Sequence, residues 1–135
     1  MRCLRCWPAA VLAMILSVAA TDEAFAQSEF PFGKELLLDA SPMKGSKRIP
    51  VIDVAENGSA AIDLWCNSVQ AQLVVVNDTI TVLTGQQTDR SCPPERAKGD
   101  QDMLDALQQV TSWRRQGDSV VLIGPRTLRF RLPTN

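Results

Sequence analysis

The stretch "RIPVIDVAENGSAAIDLW", residues 48–65, decides the fold. It contains two β-rich runs, separated by Asn57-Gly58, and apolar residues alternate with other residues along the second run. Asn-Gly is the preferred pair for a type I′ turn, in which both central residues have positive φ, so the stretch predicts a β-hairpin. Pro50 has no backbone N–H, which indicates an edge position or a bulge near the start of the first strand.

A second hairpin is predicted directly after the first. The run "SVQAQLVVVNDTITVLT", residues 68–84, alternates along both arms and turns at Asn77-Asp78. Asn57 and Asn77 also begin Asn-x-Ser/Thr glycosylation patterns. Because asparagine is favoured in turns for backbone reasons, we interpret both as turn residues rather than as glycosylation sites. Three further strands are expected at residues 34–40, 119–124 and 127–132.

One amphipathic helix is predicted from Asp100 to Arg115, after a polar loop over residues 85–100. Its apolar stripe has helical spacing and consists of Met103, Ala106, Leu107, Val110 and Trp113. Asp100 is expected to be the N-cap and Gly117 the C-terminal stop. In this interpretation, charged side chains interact favourably with the helix dipole, because Asp102 lies in the first turn and Arg114 and Arg115 lie in the last.

The predicted order is about five strands, one helix and two more strands. Such a chain belongs to the α+β class, with mostly local, antiparallel pairing. We expect a curved sheet or partly open barrel of about seven strands, with the helix covering the open side.

The first 26 residues have the pattern of a signal peptide. Arg2 and Arg5 precede an apolar run over residues 7–20, and Ala24-Phe25-Ala26 then provides a cleavage site after Ala26. The alternative is an uncleaved anchor, but this run is short for a hydrocarbon layer of about 30 Å. We therefore expect a periplasmic or secreted protein without a stable membrane anchor. Its mature chain would have an arm at residues 27–33, with two exposed phenylalanines, and a domain at residues 34–135.

Composition excludes several classes of function. The chain has no histidine, which rules out nucleophilic catalysis with a histidine base, and it contains no glycine-rich phosphate loop. Its net charge is −1, which argues against nucleic-acid binding.

The acids Asp100, Asp102 and Asp105 are interpreted as dipole-stabilising or solvent-facing, and Asp63 as solvent-exposed. We expect a monomer that is not an enzyme and has no cofactor, metal or nucleic-acid partner.

Two cysteines, Cys66 and Cys92, follow the signal peptide. An exported chain meets an oxidising compartment, where paired thiols form a disulfide. Two cysteines without histidine make a poor zinc site, and their spacing is not that of a CxxC redox pair. We therefore predict a Cys66–Cys92 disulfide.

From about Gly33 onward the sequence resembles the META/HslJ domain family. The resemblance rests on four segments in the same order: Cys66-Asn67, "TDRSC" at residues 88–92, "MLDALQQV" at residues 103–110 and "GDSVVLIGPRTLRF" at residues 117–130. The chain departs from the family pattern at Trp65, where glycine is usual, and lacks the Gly and Tyr that commonly follow Cys-Asn.

The resemblance implies a small, mostly β domain, often exported to the bacterial envelope and associated with heat or antibiotic stress. It also implies a barrel and no established enzymatic activity. Three functions follow as hypotheses: an envelope-stress protein that acts by binding, a secreted inhibitor or protein-interaction module, and a carrier of an apolar ligand in a barrel cavity. An apolar cavity of at least about 300 Å³ would favour the carrier.

Overall fold

The computed structural model describes residues 29–134. Within them lie the elements β1 (Glu35–Leu38), β2 (Val51–Val54), β3 (Ser59–Asp63), β4 (Ser68–Val76), β5 (Thr79–Gln87), α1 (Pro94–Gln108), β6 (Ser112–Gln116), β7 (Ser119–Ile123) and β8 (Leu128–Arg131). The predicted signal peptide, residues 1–26, and the first two residues of the predicted arm lie outside the described residues. Within this part of the chain, no helix has the length and hydrophobicity needed to span a membrane.

The eight strands form one closed antiparallel barrel, in which β8 pairs with β1. The predicted class, mostly antiparallel β with one helix, is confirmed. The barrel is closed rather than partly open, and it has eight strands rather than about seven. Its weakest seam is between β5 and β6, which share the single pair Thr79↔Ser112. Between these two strands the chain leaves the sheet after Gln87, passes through α1 and returns at Ser112.

The hairpin at Asn57-Gly58 is present, but the predicted type I′ turn is wrong. Gly58 has a φ of +82°, whereas Asn77, at the next hairpin, is the one non-glycine residue with positive φ in the described chain. The side chain of Asn57 instead accepts a hydrogen bond from the Ser59 amide at 3.0 Å. Glycine is needed at position 58 for a second reason, because a Cβ there would lie 2.5 Å from the Leu73 carbonyl oxygen.

The helix begins earlier than predicted. Pro94 occupies the first turn, where its missing N–H costs no hydrogen bond, and the first helical bond joins the Ala97 amide to the Pro93 carbonyl at 3.0 Å. The polar loop predicted for residues 85–100 is therefore shorter at both ends, since β5 continues to Gln87 and α1 starts at Pro94. Asp100 lies within the helix and is not its N-cap.

The helix also ends earlier than predicted, at Gln108. All five residues of the predicted stripe are buried, but Val110 lies after the helix and Trp113 belongs to β6. Arg114 and Arg115 lie in the same strand, and Gly117, with a φ of +58°, is in the β6–β7 hairpin turn. Pairing along the whole of β7, in a hairpin with a two-residue turn, satisfies the backbone here and overrides the helical spacing.

Side chains fill the barrel interior. Leu36, Ile52, Ile62, Leu122 and Phe130 are each 0 % exposed, and they come from five different strands. An eight-stranded barrel is just wide enough for its side chains to fill.

The first described residues close one end of this core. Phe30 is 7 % exposed and packs edge-on against Trp113, with ring centroids 5.1 Å apart. Phe32 lies 4.9 Å from Phe30 and is half-buried. The expectation of two exposed phenylalanines was therefore wrong, because the end of the barrel offers them an apolar surface.

Replacing Phe130 with alanine tests the filled interior. Phe130 is completely buried, so Phe130→Ala is expected to lower the free energy of unfolding by about 3–5 kcal/mol. Leu83→Ala is the control, because Leu83 is 54 % exposed on the outer face and its loss is expected to cost less than about 0.5 kcal/mol. Urea denaturation measures both, and equal losses would contradict the assignment of the core.

Candidate functional site

The two cysteines that were predicted to form a disulfide lie at disulfide distance. Cys66 lies in the turn between β3 and β4, and Cys92 lies in the loop between β5 and α1. The structure joins them in a disulfide, with Cα atoms 6.1 Å apart and a sequence separation of 26. The bond connects the start of the second hairpin to the residues that lead into the helix.

Asn67 connects the same two segments by hydrogen bonds. It is 7 % exposed, and its side-chain oxygen accepts from the Thr88 hydroxyl at 2.9 Å and from the Arg90 amide at 2.8 Å. Its side-chain nitrogen donates to the Cys92 sulfur at 3.2 Å. The Thr88 hydroxyl in turn accepts from the Ser68 amide at 2.9 Å. The segments Cys66-Asn67 and residues 88–92, which carried the family resemblance, are thus in direct contact.

Asp100 supplies the third part of this arrangement from the middle of α1. Its carboxylate is 2 % exposed and accepts from the Cys66 amide at 3.0 Å and the Asn67 amide at 2.8 Å. Asp100 therefore caps the β3–β4 turn rather than its own helix. We refer to Cys66, Asn67, Thr88, Cys92 and Asp100 as the polar junction.

Close packing brings the helix near enough for these bonds. Gly99, next to Asp100, is buried against Trp65, and a Cβ at position 99 would lie 2.8 Å from the Trp65 Cδ1 atom. Glycine in the helix thus leaves room for the indole of Trp65, the residue that departs from the family pattern.

The groups of the polar junction are engaged with one another rather than arranged to hold a metal ion. One ligand atom from each of Cys66, Cys92 and Asp100 lies within 4.8 Å of the others, a spacing that could suit a metal ion. However, the disulfide removes the two thiolates that a metal would need, and both carboxylate oxygens accept backbone hydrogen bonds. Within residues 29–134, no buried side-chain nitrogen or oxygen lacks a partner.

The three aspartates of α1 lie in different surroundings. Asp102 forms an i,i+4 ion pair with Lys98 at 2.6 Å, and the hydrogen bond from Lys98 lowers the pKa of Asp102. Asp105 accepts from Gln101 at 2.8 Å on an exposed surface. Asp102 and Asp105 match the predicted solvent-facing role, whereas Asp100 does not. Asp63 is exposed, as predicted, and lies 3.5 Å from Arg48.

The sequence contains a signal for the burial of Asp100 that our prediction did not use. Asp100, Met103, Leu104 and Leu107 fall at i, i+3, i+4 and i+7, so the acid lies on the apolar face of the helix, and all four residues are buried. An acid on such a face requires buried donors, which the Cys66 and Asn67 amides provide.

A second candidate site is an open cleft of about 900 Å³ at the end of the barrel that Phe30 closes. The Trp113 indole N–H, on one wall, donates to the Asn77 carbonyl at 2.8 Å. The cleft lining is partly aromatic and partly charged, and it comprises Glu29, Phe30, Phe32, Val75, Asn77, Asp78, Trp113, Arg114 and Arg115. Sequence reasoning missed this cleft, because its walls come from distant segments.

Removing the disulfide tests its contribution to stability. Cys66→Ala and Cys92→Ala are each expected to lower the free energy of unfolding by about 2–5 kcal/mol. The double variant is expected to lose about the same amount, because the three variants remove one shared bond. Denaturant unfolding of the oxidised protein measures all three, and additive losses would indicate two independent thiols.

Comparison with known proteins gives one match, to a family model. Neither a curated protein nor a solved structure matches the chain. The family model described as META domain matches residues 33–133, a range that contains the barrel, α1 and every residue of the polar junction. The chain therefore belongs to the META domain family.

Proposed function

We propose that this protein is an exported domain of the cell envelope that acts by binding rather than by catalysis. The observation that carries the proposal is the disulfide within the polar junction. A disulfide between the hairpin and the helix contributes to stability in an oxidising compartment, where it persists. The signal-peptide pattern of residues 1–26 supports the same location. In line with the family resemblance, we assign the binding activity to the envelope-stress response.

A binding role is supported by what the buried polar groups do. The buried carboxylate of Asp100 and the side-chain amide of Asn67 are engaged by other groups of the polar junction. General acid–base catalysis needs a group within reach of a substrate proton, and these two are occupied. Because side chains also fill the barrel interior, binding is assigned to the outer surface and the barrel end.

Export is tested by expression of the full chain in a bacterium, followed by cell fractionation. We expect the protein in the periplasm or medium, with an intact mass that begins at Gln27 and no free thiol after denaturation without reductant. A variant without residues 2–26 is the control and is expected to remain in the cytoplasm with both thiols reduced. Full-chain protein that retains Met1 in the cytoplasm would contradict the proposal.

The cleft favours a second candidate function, the carriage of an apolar ligand at the end of the barrel. Phe32 and Val75 are half-buried in the cleft lining, so they offer apolar surface to a ligand without unfolding the core. At about 900 Å³, the cleft lies within the size range of small-molecule sites. The ligand would therefore lie outside the filled interior rather than in it.

Tryptophan fluorescence tests the cleft. In a Trp65→Phe background, Trp113 is the sole tryptophan of residues 27–135 and reports directly on the cleft. Titration with 8-anilinonaphthalene-1-sulfonate is expected to give saturable energy transfer from Trp113. Phe32→Ser is expected to weaken this binding at least fivefold, whereas Leu83→Ser, exposed on the outer face, is expected to leave it unchanged. Equal effects of the two substitutions would exclude the cleft.

A further inference from the structure

Charge is strongly segregated along the chain. Residues 112–131, which form β6, β7 and β8, contain five arginines and one aspartate. The rest of residues 27–135 contains seven basic and twelve acidic residues. The overall charge near neutrality therefore conceals a basic part and an acidic part.

The register of the strands places three of these arginines on the outer face of the sheet. Arg114, Val121 and Arg129 lie side by side on β6, β7 and β8, since Arg114 pairs with Val121 and Val121 with Arg129. Paired residues point to the same side of a sheet, and the side chains of Trp113 and Phe130, one position away, are buried inside. Arg131 follows Arg129 on the same side. We call Arg114, Arg129 and Arg131 the basic face.

The arginine side chains of the basic face cover Val121 and keep their guanidinium groups in water. Val121 points outward yet is only 2 % exposed, and its two cross-strand neighbours are Arg114 and Arg129. Arginine stems cover apolar surface while the guanidinium groups stay in water. With strands about 4.8 Å apart, two strand spacings place Arg114 and Arg129 roughly 10 Å from each other.

Little negative charge neutralises this face. Arg131 pairs with Asp39 at 3.4 Å, and Arg129 donates to the neutral Gln116 side chain at 2.7 Å. Among residues 29–134, no ion pair includes Arg114 or Arg129. The strand positions that point outward on β6, β7 and β8 include no acid.

We propose that the basic face binds an acidic segment of a partner protein. Guanidinium groups bind carboxylates through two parallel hydrogen bonds, and two of these groups lack an ionic partner. This inference deepens the proposed binding function and rests on it. The partner is defined by its chemistry: it carries a short run of aspartate or glutamate residues, whose side chains are spaced to reach Arg114 and Arg129.

An acidic segment fits this face better than an anionic membrane. Outside residues 112–131 the mature chain has an excess of five acids, which an anionic bilayer would repel, whereas a short segment contacts the basic face alone. Stable association with a membrane surface also uses apolar side chains that insert, and Val121, at the centre of the face, is buried.

Binding is tested with the oxidised, mature protein and a fluorescein-labelled peptide of ten glutamates, by anisotropy at 50 mM NaCl. Arg114→Gln/Arg129→Gln is expected to weaken binding at least tenfold. The matched control, Lys44→Gln/Lys47→Gln, removes the same charge from two exposed lysines before β2 and is expected to weaken it less than twofold. Equal weakening by the two pairs, or no binding by the unsubstituted protein, would overturn the proposal.

Two further variants keep the test independent of folding. Arg114→Gln alone breaks no ion pair and is expected to weaken binding about threefold with an unchanged unfolding midpoint. Arg114→Lys/Arg129→Lys keeps the charge and is expected to fall between the native protein and the glutamine pair, because lysine lacks the planar fork.

Vesicles containing phosphatidylglycerol distinguish the partner class. We expect no cosedimentation of the mature protein with them at 150 mM NaCl. Vesicle binding that Arg114→Gln/Arg129→Gln abolishes, without peptide binding, would replace the acidic segment by a membrane. Failure of the peptide experiment leaves the export measurement unaffected, so failure of this inference and failure of the proposed export are separable.

Discussion

The Asp100 carboxylate, which accepts the amides of Cys66 and Asn67, is the interaction on which the arrangement of this domain depends. It fixes α1 against the β3–β4 turn at the place where the disulfide also joins them. The position of the helix matters because β5 and β6 share a single pair, and α1 packs against β5, one of these two strands. A buried carboxylate is tolerated here since two backbone donors replace its water.

The parts of the fold that could be predicted are those whose signals are local. The hairpins at Gly58 and Asn77 follow from turn residues between alternating runs. The pairing of Cys66 with Cys92 follows from the two cysteines that remain after the predicted signal peptide. The limits of α1 could not be predicted, because Val110 and Trp113 continue the helical spacing into β6. Gly117, which was predicted to stop the helix, instead turns the chain from β6 into β7, and pairing across this hairpin distinguishes the strand from a helix.

The candidate sites also divide into residues with local sequence signals and residues whose partners are distant in sequence. The sequence identified the cysteines and the segments around them, but it assigned Asp100 to a helix cap and Phe30 to an exposed arm. Both errors concern groups whose partners are far away in sequence: Asp100 binds a turn 33 residues earlier, and Phe30 packs on Trp113. The cleft and the basic face likewise depend on strand register. Both lie on the outside of a barrel whose interior is filled, so the proposed binding functions concern its surface.

Substitution of the buried carboxylate by its neutral isostere tests this account most directly. Asp100→Asn keeps the shape but offers one acceptor to two amides, so it is expected to lower the free energy of unfolding of the oxidised protein by about 1–3 kcal/mol. Asp102→Asn, in the same helix but in an exposed ion pair with Lys98, is the matched control and is expected to change it by less than about 0.5 kcal/mol. Equal values for the two variants in urea denaturation would contradict the central role of Asp100.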